Sequence, residues 1–345
     1  VNLEQNIYNV SVEGGELDIR FSTNIAEDEL LIYGSLGTGT WLTQETKTRA
    51  SSSYMLNLTV LPNTDGVSRT AYIYFVKVTD MESIVVEMVT IIQRGEVASE
   101  TTDYSSDKKV RVLQTAKLGK GLPIVLMGDG FIDTEINDGT YDAVMDKAFE
   151  NLFTEEPIKS LRDYFNVYAV TAVSKHNIFG TGYETALGCE LAGGNSTGIS
   201  GEDNAVQRYV QCVDNIDMSE TLAVVILNSP AYAGTTYFGY TNQTKVVEFA
   251  IAYCPVIYDL QSESFRQVLV HEAVGHGFAK LEDEYAYQEN GTISSKEIKN
   301  VQYLQTLGWA QNVDFTSDPS QVLWSAFLND NRYVSEKLGV FEGAC

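Results

Sequence analysis

The chain has 345 residues, 44% hydrophobic and 20% charged, an ordinary globular composition that excludes a disordered chain and predicts two domains rather than one core. It contains no run of about 18 apolar residues, which excludes a membrane-spanning helix. A formal net charge of −24 argues against a nucleic-acid partner, because phosphate contacts need basic patches.

The sequence opens at Val1, without a methionine or a charged-then-apolar leader, and reads as a mature or trimmed product. Residues 1–97 read as all-β. Leu17, Ile19 and Phe21 alternate with Asp18, Arg20 and Ser22, and Leu56, Leu58 and Val60 alternate with Asn57 and Thr59. That period of two is the mark of strands with one buried face. Gly14-Gly15, Gly37-Thr38-Gly39, Pro62-Asn63 and Asp65-Gly66 supply turns between them. With Trp41-Leu42 in the middle and Ile91-Ile92-Gln93-Arg94-Gly95 at the end, this segment resembles a BACON-type β-sandwich module. The resemblance implies either a module that binds glycan or glycoprotein, or a spacer ahead of an enzyme in a secreted bacterial protein. The spacer role is the favoured of the two.

Residues 96–109 are rich in Ser, Thr, Asp and Glu with no apolar period, and the linker is placed at 98–109. Beyond it, the strand-like runs 122–127, 167–173, 222–227 and 247–252 alternate with helix-like ones. Val144, Phe149 and Leu152 predict a helix within residues 141–163. Such alternation predicts an α/β domain over residues 110–345, a mixed sheet with helices packed against it. Residues 181–203 read as a loop that flanks a substrate cleft. Of the four cysteines, Cys189, Cys212, Cys254 and Cys345, none forms a C-x-x-C pair, which argues against a cysteine zinc site. Cys189 and Cys212 bracket a Gly/Ser/Asn-rich loop and are the best candidates for a disulfide.

The run His271-Glu272-Ala273-Val274-Gly275-His276 holds two of the three histidines and a glutamate beside the first. Neutral imidazoles are good zinc ligands, and a carboxylate beside a metal-activated water is the usual base of a metallopeptidase. In the familiar H-E-x-x-H the histidines lie four residues apart on one helix face. Here they are five apart, which on a regular helix puts them roughly 140° from each other. One i→i+5 turn would bring them back together, and Gly275 sits where that widening would fall. Ser264 and Gln267 predict a capping box at the helix start, and Gly277 a stop. Six to eight residues past His276 lie Glu282, Asp283 and Glu284, any of which could supply a third ligand.

The stretch His271-Glu272-Ala273-Val274-Gly275-His276-Gly277-Phe278-Ala279-Lys280-Leu281-Glu282-Asp283-Glu284-Tyr285 resembles the active-site segment of the IgA-peptidase family of zinc metallopeptidases. Leu126-Met127-Gly128-Asp129-Gly130-Phe131 and the segment Leu161-Arg162-Asp163-Tyr164-Phe165-Asn166-Val167-Tyr168-Ala169-Val170 extend the resemblance over residues 108–345. The lengthened H-E-x-x-G-H form is shared with dipeptidyl peptidase III. The resemblance implies a zincin-like catalytic domain holding one zinc ion through His271, His276 and Asp283, with Glu284 and then Glu282 as alternatives to Asp283. It makes Glu272 the general base and Tyr285 a donor to the oxyanion. The function it implies is a zinc-dependent peptidase, an endopeptidase, acting on protein or peptide substrates through a zinc-activated water. It would be secreted, periplasmic or held at the surface of a bacterium. Rival readings are an inactive peptidase-like surface binding or adhesion protein, and a zinc amidase acting on a non-protein substrate. His176 and Asp129 read as structural. The sequence ends at Cys345 where family members continue, which implies that part of the pocket wall lies beyond it.

Overall fold

Period-two patterning in the first part of the chain becomes two four-stranded sheets. The structure is a computed structural model. It describes residues 1–12, 14–35, 41–50, 53–63, 68–79, 83–93, 99–180, 183–191, 198–242, 245–284, 293–328, 330–336 and 338–340. The strands are β1 (Asn2–Leu3), β2 (Ile7–Val10), β3 (Gly15–Ser22), β4 (Leu30–Gly34), β5 (Leu42–Ala50), β6 (Ser53–Val60), β7 (Arg69–Val78) and β8 (Ser83–Gln93). One sheet has the order β1-β3-β6-β5 and the other β2-β8-β7-β4. The alternating residues Ile19, Phe21, Tyr54, Leu56, Leu58 and Val60 all point inward to meet Ile73, Phe75, Val89 and Ile91. Phe21 stacks on Tyr54 at 5.2 Å and meets Phe75 edge-on at 4.9 Å. Each such side chain, buried, contributes about 1.5–3 kcal/mol of hydrophobic stabilisation before the ordering entropy is set against it.

The third sheet is six-stranded and mixed. Its strands β9 (Val110–Gln114), β10 (Leu122–Asp129), β11 (Phe165–Val170), β14 (Leu222–Leu227), β15 (Thr235–Asn242) and β16 (Lys245–Pro255) lie in the order β15-β16-β14-β10-β11-β9. The four inner strands run parallel, and the edges β9 and β15 pair antiparallel. Every residue of β14 is buried, as expected of a strand covered on both faces. A short pair, β12 (Glu190–Leu191) with β13 (Ile199–Ser200), accompanies it. Helices α1 (Asp133–Asn137), α2 (Thr140–Leu152), α3 (Asp203–Val210) and α4 (Glu263–Leu269) complete this part. Val206 and Val210 of α3 join Val125, Met127, Val225 and Ile251 in one core cluster, while α4 packs against α2 and β16. The chain is therefore multidomain, all-β and then α/β.

Several boundaries differ from the sequence expectation. The helix within 141–163 ends at Leu152, where Phe153 leaves the helical conformation at φ −109° and ψ 32°. A 3₁₀ turn, Arg162–Tyr164, then leads into β11. The bridge between Cys189 and Cys212 is not formed; both are free, as is Cys254, and Cys345 lies outside the described residues. Cys189 is buried beside Asp129 instead, and burial first, then that charge, pushes its thiol up.

By its internal contacts the chain divides into two compact units, Val1–Ala273 and Val274–Cys345. Within the first, Ile7 and Ile92 of the β-rich part bury against Ala231, and Tyr72 meets Tyr258 edge-on at 5.2 Å. Thr101 and Asp103 are tied in by Lys175, Ser174 and Asp133. The second unit carries α5 (Ser295–Thr306) and α6 (Ser325–Leu328), with Trp309, Ala310 and Val322 buried. Among the described residues, no helix is long and apolar enough to cross a membrane.

Candidate metal centre

Helix α4 starts two residues before the expected cap. Ser262, not Ser264, accepts a hydrogen bond from the Phe265 N–H at 3.0 Å, satisfying one orphan donor of the first turn. The helix then passes directly into a π-helix, Val270–Phe278. Its widened hydrogen bonding shows in the Ala279 N–H, which donates to the Val274 carbonyl five residues back at 2.9 Å. Gly277 does not stop the helix. The chain turns at Lys280, which has a left-handed φ of 55° and donates from Nζ to the Gly277 carbonyl. A buried ammonium at this end satisfies a helix-terminal acceptor and complements the negative end of the dipole.

The π-helical spacing lets His271 and His276 converge. One ligand-capable atom from each, with one carboxylate oxygen of Asp283, lies within 4.8 Å of the others. The Nδ1 of His276 is 2.6 Å from the Leu281 carbonyl. A carbonyl only accepts, so Nδ1 carries a proton, and in the neutral form of the ring the lone pair lies at Nε2. That Nε2 faces Asp283 Oδ1 at 3.1 Å. Two lone-pair atoms at this separation need a cation, either a proton or a metal ion. Two imidazole nitrogens and a carboxylate oxygen are the donor set of a catalytic zinc site that keeps its fourth position open, so the residues present fit such an ion.

Asn312 holds the backbone of Glu282 and the carboxylate of Glu284. Asn312 accepts from the Glu282 N–H at 3.0 Å, and its Nδ2 donates to the Glu282 carbonyl and to Glu284 Oε1, each at 2.9 Å. Burial pushes the Glu282 carboxyl up, partly offset by His276 and reinforced by Asp283. Tyr285 lies outside the described residues.

Glu272 is 7% exposed. Its Oε2 accepts a hydrogen bond from Thr236 Oγ1 on β15 at 2.7 Å, and the same hydroxyl lies 2.9 Å from the Glu272 carbonyl oxygen. Just ahead of that strand, a Cβ at Gly234 would come within 2.5 Å of Glu272 Oε1, so only glycine allows this approach. Gly234 and Thr236 were missed in the sequence, where a glycine before a polar strand reads as a turn. Burial, with the charge of Glu272, raises the thiol of Cys254 nearby.

The other polar candidates are structural. Asp129 is fully buried and accepts from Ser174 Oγ, Thr185 Oγ1, Leu187 N and Cys189 N at 2.7–3.1 Å, which pins the loop that follows β11. His176 Nδ1 accepts from the Glu184 N–H at 2.9 Å, and its ring meets Tyr183 edge-on.

A π-helix that gathers two histidines with an aspartate and carries a buried glutamate beside the first histidine has the features of a metal-dependent hydrolase. Residues 110–336 match the family model of the IgA Peptidase M64, and the chain belongs to that family of metallopeptidases. Residues 26–94 match the BACON model, whose description assigns it only a candidate N-terminal binding role. Among solved structures the chain is similar to a GspB Siglec domain, with 16% identity over 32% of this chain and 63% of that one, at a TM-score of 0.22. It is also similar to a Bacteroides ovatus GH5 xyloglucanase in complex with a XXXG heptasaccharide. There the identity is 11% over 65% of this chain and 44% of that one, at a TM-score of 0.21. The chain thus spans less than two thirds of either structure, and likenesses this weak carry no argument. A comparison with curated proteins finds no match.

Proposed function

We propose that the protein is a secreted, periplasmic or surface-held bacterial zinc endopeptidase, with a sandwich module at 1–97, a linker at 98–109 and the catalytic domain at 110–345. The observation that carries this reading is the convergence of His271, His276 and Asp283 on a π-helical turn. These three residues would hold one zinc ion. The chemistry such an ion supplies is polarisation of a carbonyl and a lowered pKa for water. Glu272, buried and adjacent in sequence to His271, takes the proton of the attacking water and returns it to the leaving amine. His276 is held for its task by the Leu281 carbonyl, the kind of backbone partner that orients ligating histidines. Tyr285 is the proposed donor to the oxyanion. The substrate is a polypeptide; the immunoglobulin in the family's name belongs to members for which that activity was assigned. The sandwich module serves as a spacer ahead of the enzyme, with glycan or glycoprotein recognition as its alternative role, and the strongly acidic chain takes no nucleic-acid partner.

The test is a mixed peptide library incubated with zinc-reconstituted protein. Internal cleavage that a strong chelator abolishes supports the reading. An intact library, or products from amide bonds outside the peptide backbone, overturns it.

A further inference from the structure

We propose that Thr236 is a positioning residue for Glu272, and that Gly234 is glycine because the same carboxylate occupies the space a side chain would need. This rests on the reading of Glu272 as the base. A general base works only within hydrogen-bond reach of the proton it takes, and small misplacements are costly. A glutamate has three side-chain torsions, and each must be fixed for the carboxylate to hold one place. Two contacts from the start of the edge strand β15 fix them.

The first contact is polar. The Thr236 hydroxyl has a single hydrogen and two acceptors in reach, Glu272 Oε2 at 2.7 Å and the Glu272 carbonyl oxygen at 2.9 Å. The ionised oxygen is the stronger acceptor, so the hydrogen goes to Oε2. The second contact is steric. A Cβ at Gly234 would lie 2.5 Å from Oε1, 2.9 Å from Cγ of Glu272 and 2.8 Å from Cγ1 of Val268. The carboxylate is thus held on one oxygen by a donor and backed on the other by bare backbone. Its rotamer is set by two residues that lie 36 and 38 positions earlier in the chain.

The experiment uses the full chain with Thr236→Val, which keeps the shape and removes the hydroxyl, and Thr236→Ser, which restores it. Melting of the metal-free protein in a double-mutant cycle reads the contact without reference to activity. Thr236→Val lowers Tm by roughly 2–6 °C in the parent and by much less in Glu272→Ala. With zinc loaded, Thr236→Val lowers kcat by about 10–100-fold at unchanged KM and unchanged zinc content, and Thr236→Ser recovers most of it. Gly234→Ala, a second route to the same displacement, also lowers kcat while zinc is retained. An additive cycle overturns the proposal, as does full kcat in Thr236→Val or a Thr236→Ser variant as impaired as the valine. If Glu272→Gln turned over at the parent rate, the base assignment would fall, while the cycle would still decide whether Thr236 holds the carboxylate.

Discussion

Asn312 is 30 residues from the segment it clamps, and replacing it shows whether the third ligand is positioned or merely nearby. Asn312→Ala removes two hydrogen bonds to the Glu282 backbone, at 3.0 and 2.9 Å, and one to Glu284 at 2.9 Å. Each backbone bond contributes about 0.5–1.5 kcal/mol net, and the exposed contact to Glu284 well under ~1 kcal/mol. Together they order the residues flanking Asp283 by about 1–3 kcal/mol. At 1.4 kcal/mol per tenfold, zinc affinity should fall about 5–140-fold, a range that includes the roughly 10–100-fold loss usual when partners of ligating residues are removed. The assay is competition for zinc against a chromophoric chelator at neutral pH, with a melt of the metal-free variant to show that it is folded. A folded Asn312→Ala with unchanged affinity would refute the reasoning, because Asp283 would then hold its place, or bind no metal, without the clamp.

Glu272→Gln should keep zinc and lose about 10²–10⁴-fold in turnover, since the amide keeps the shape without the basicity; steady-state peptide hydrolysis beside elemental analysis checks both halves. Asp129→Ala should destabilise the chain by about 3–5 kcal/mol, because four donors in a fully buried pocket lose a charged acceptor. Denaturant melts measure this, and a loss within error of zero would contradict the pinning role. For Asp133, burial alone would raise the carboxyl, but hydrogen bonds from Thr102, Asp103 and Thr134 outweigh it and hold the pKa below the usual value. A depressed folded pKa contributes stability that is present above the unfolded value of about 3.9 and lost as pH falls through the folded one. Asp133→Asn should therefore flatten the acid limb of the stability curve below about pH 4, and melts across that range with identical acid limbs would count against it.

What the sequence revealed follows from how local each signal is. β14 was readable because Leu222–Leu227 is an unbroken apolar run, and β3 and β6 because one face is buried at every second residue. α2 is legible from Val144, Phe149 and Leu152 at helical spacing, but its end is not, because Phe153 and Ile158, both buried, continue the apolar run after the helix has ended. The edge strand β15 gave no clear pattern, since Thr235, Thr236 and Tyr237 are only partly buried or exposed. In the site, the five-residue separation of His271 and His276 demanded a widened turn on geometry alone, and the π-helix supplies it. The choice among Glu282, Asp283 and Glu284 could not be read from residue type, because Asn312, which holds the Glu282 backbone and the Glu284 carboxylate, is distant in sequence. The Thr236–Glu272 contact was hidden for the same reason.

The central claim is that His271, His276 and Asp283 hold a single zinc ion. Anomalous diffraction from crystals of zinc-reconstituted protein, collected on both sides of the zinc edge, tests it most directly. The expected map has one strong peak per chain, bonded to one nitrogen from each histidine and an oxygen of Asp283, at about 2.0–2.2 Å. A map with no peak there, or with zinc bound by other residues while the two imidazoles point apart, would contradict the metal centre and the peptidase chemistry built on it.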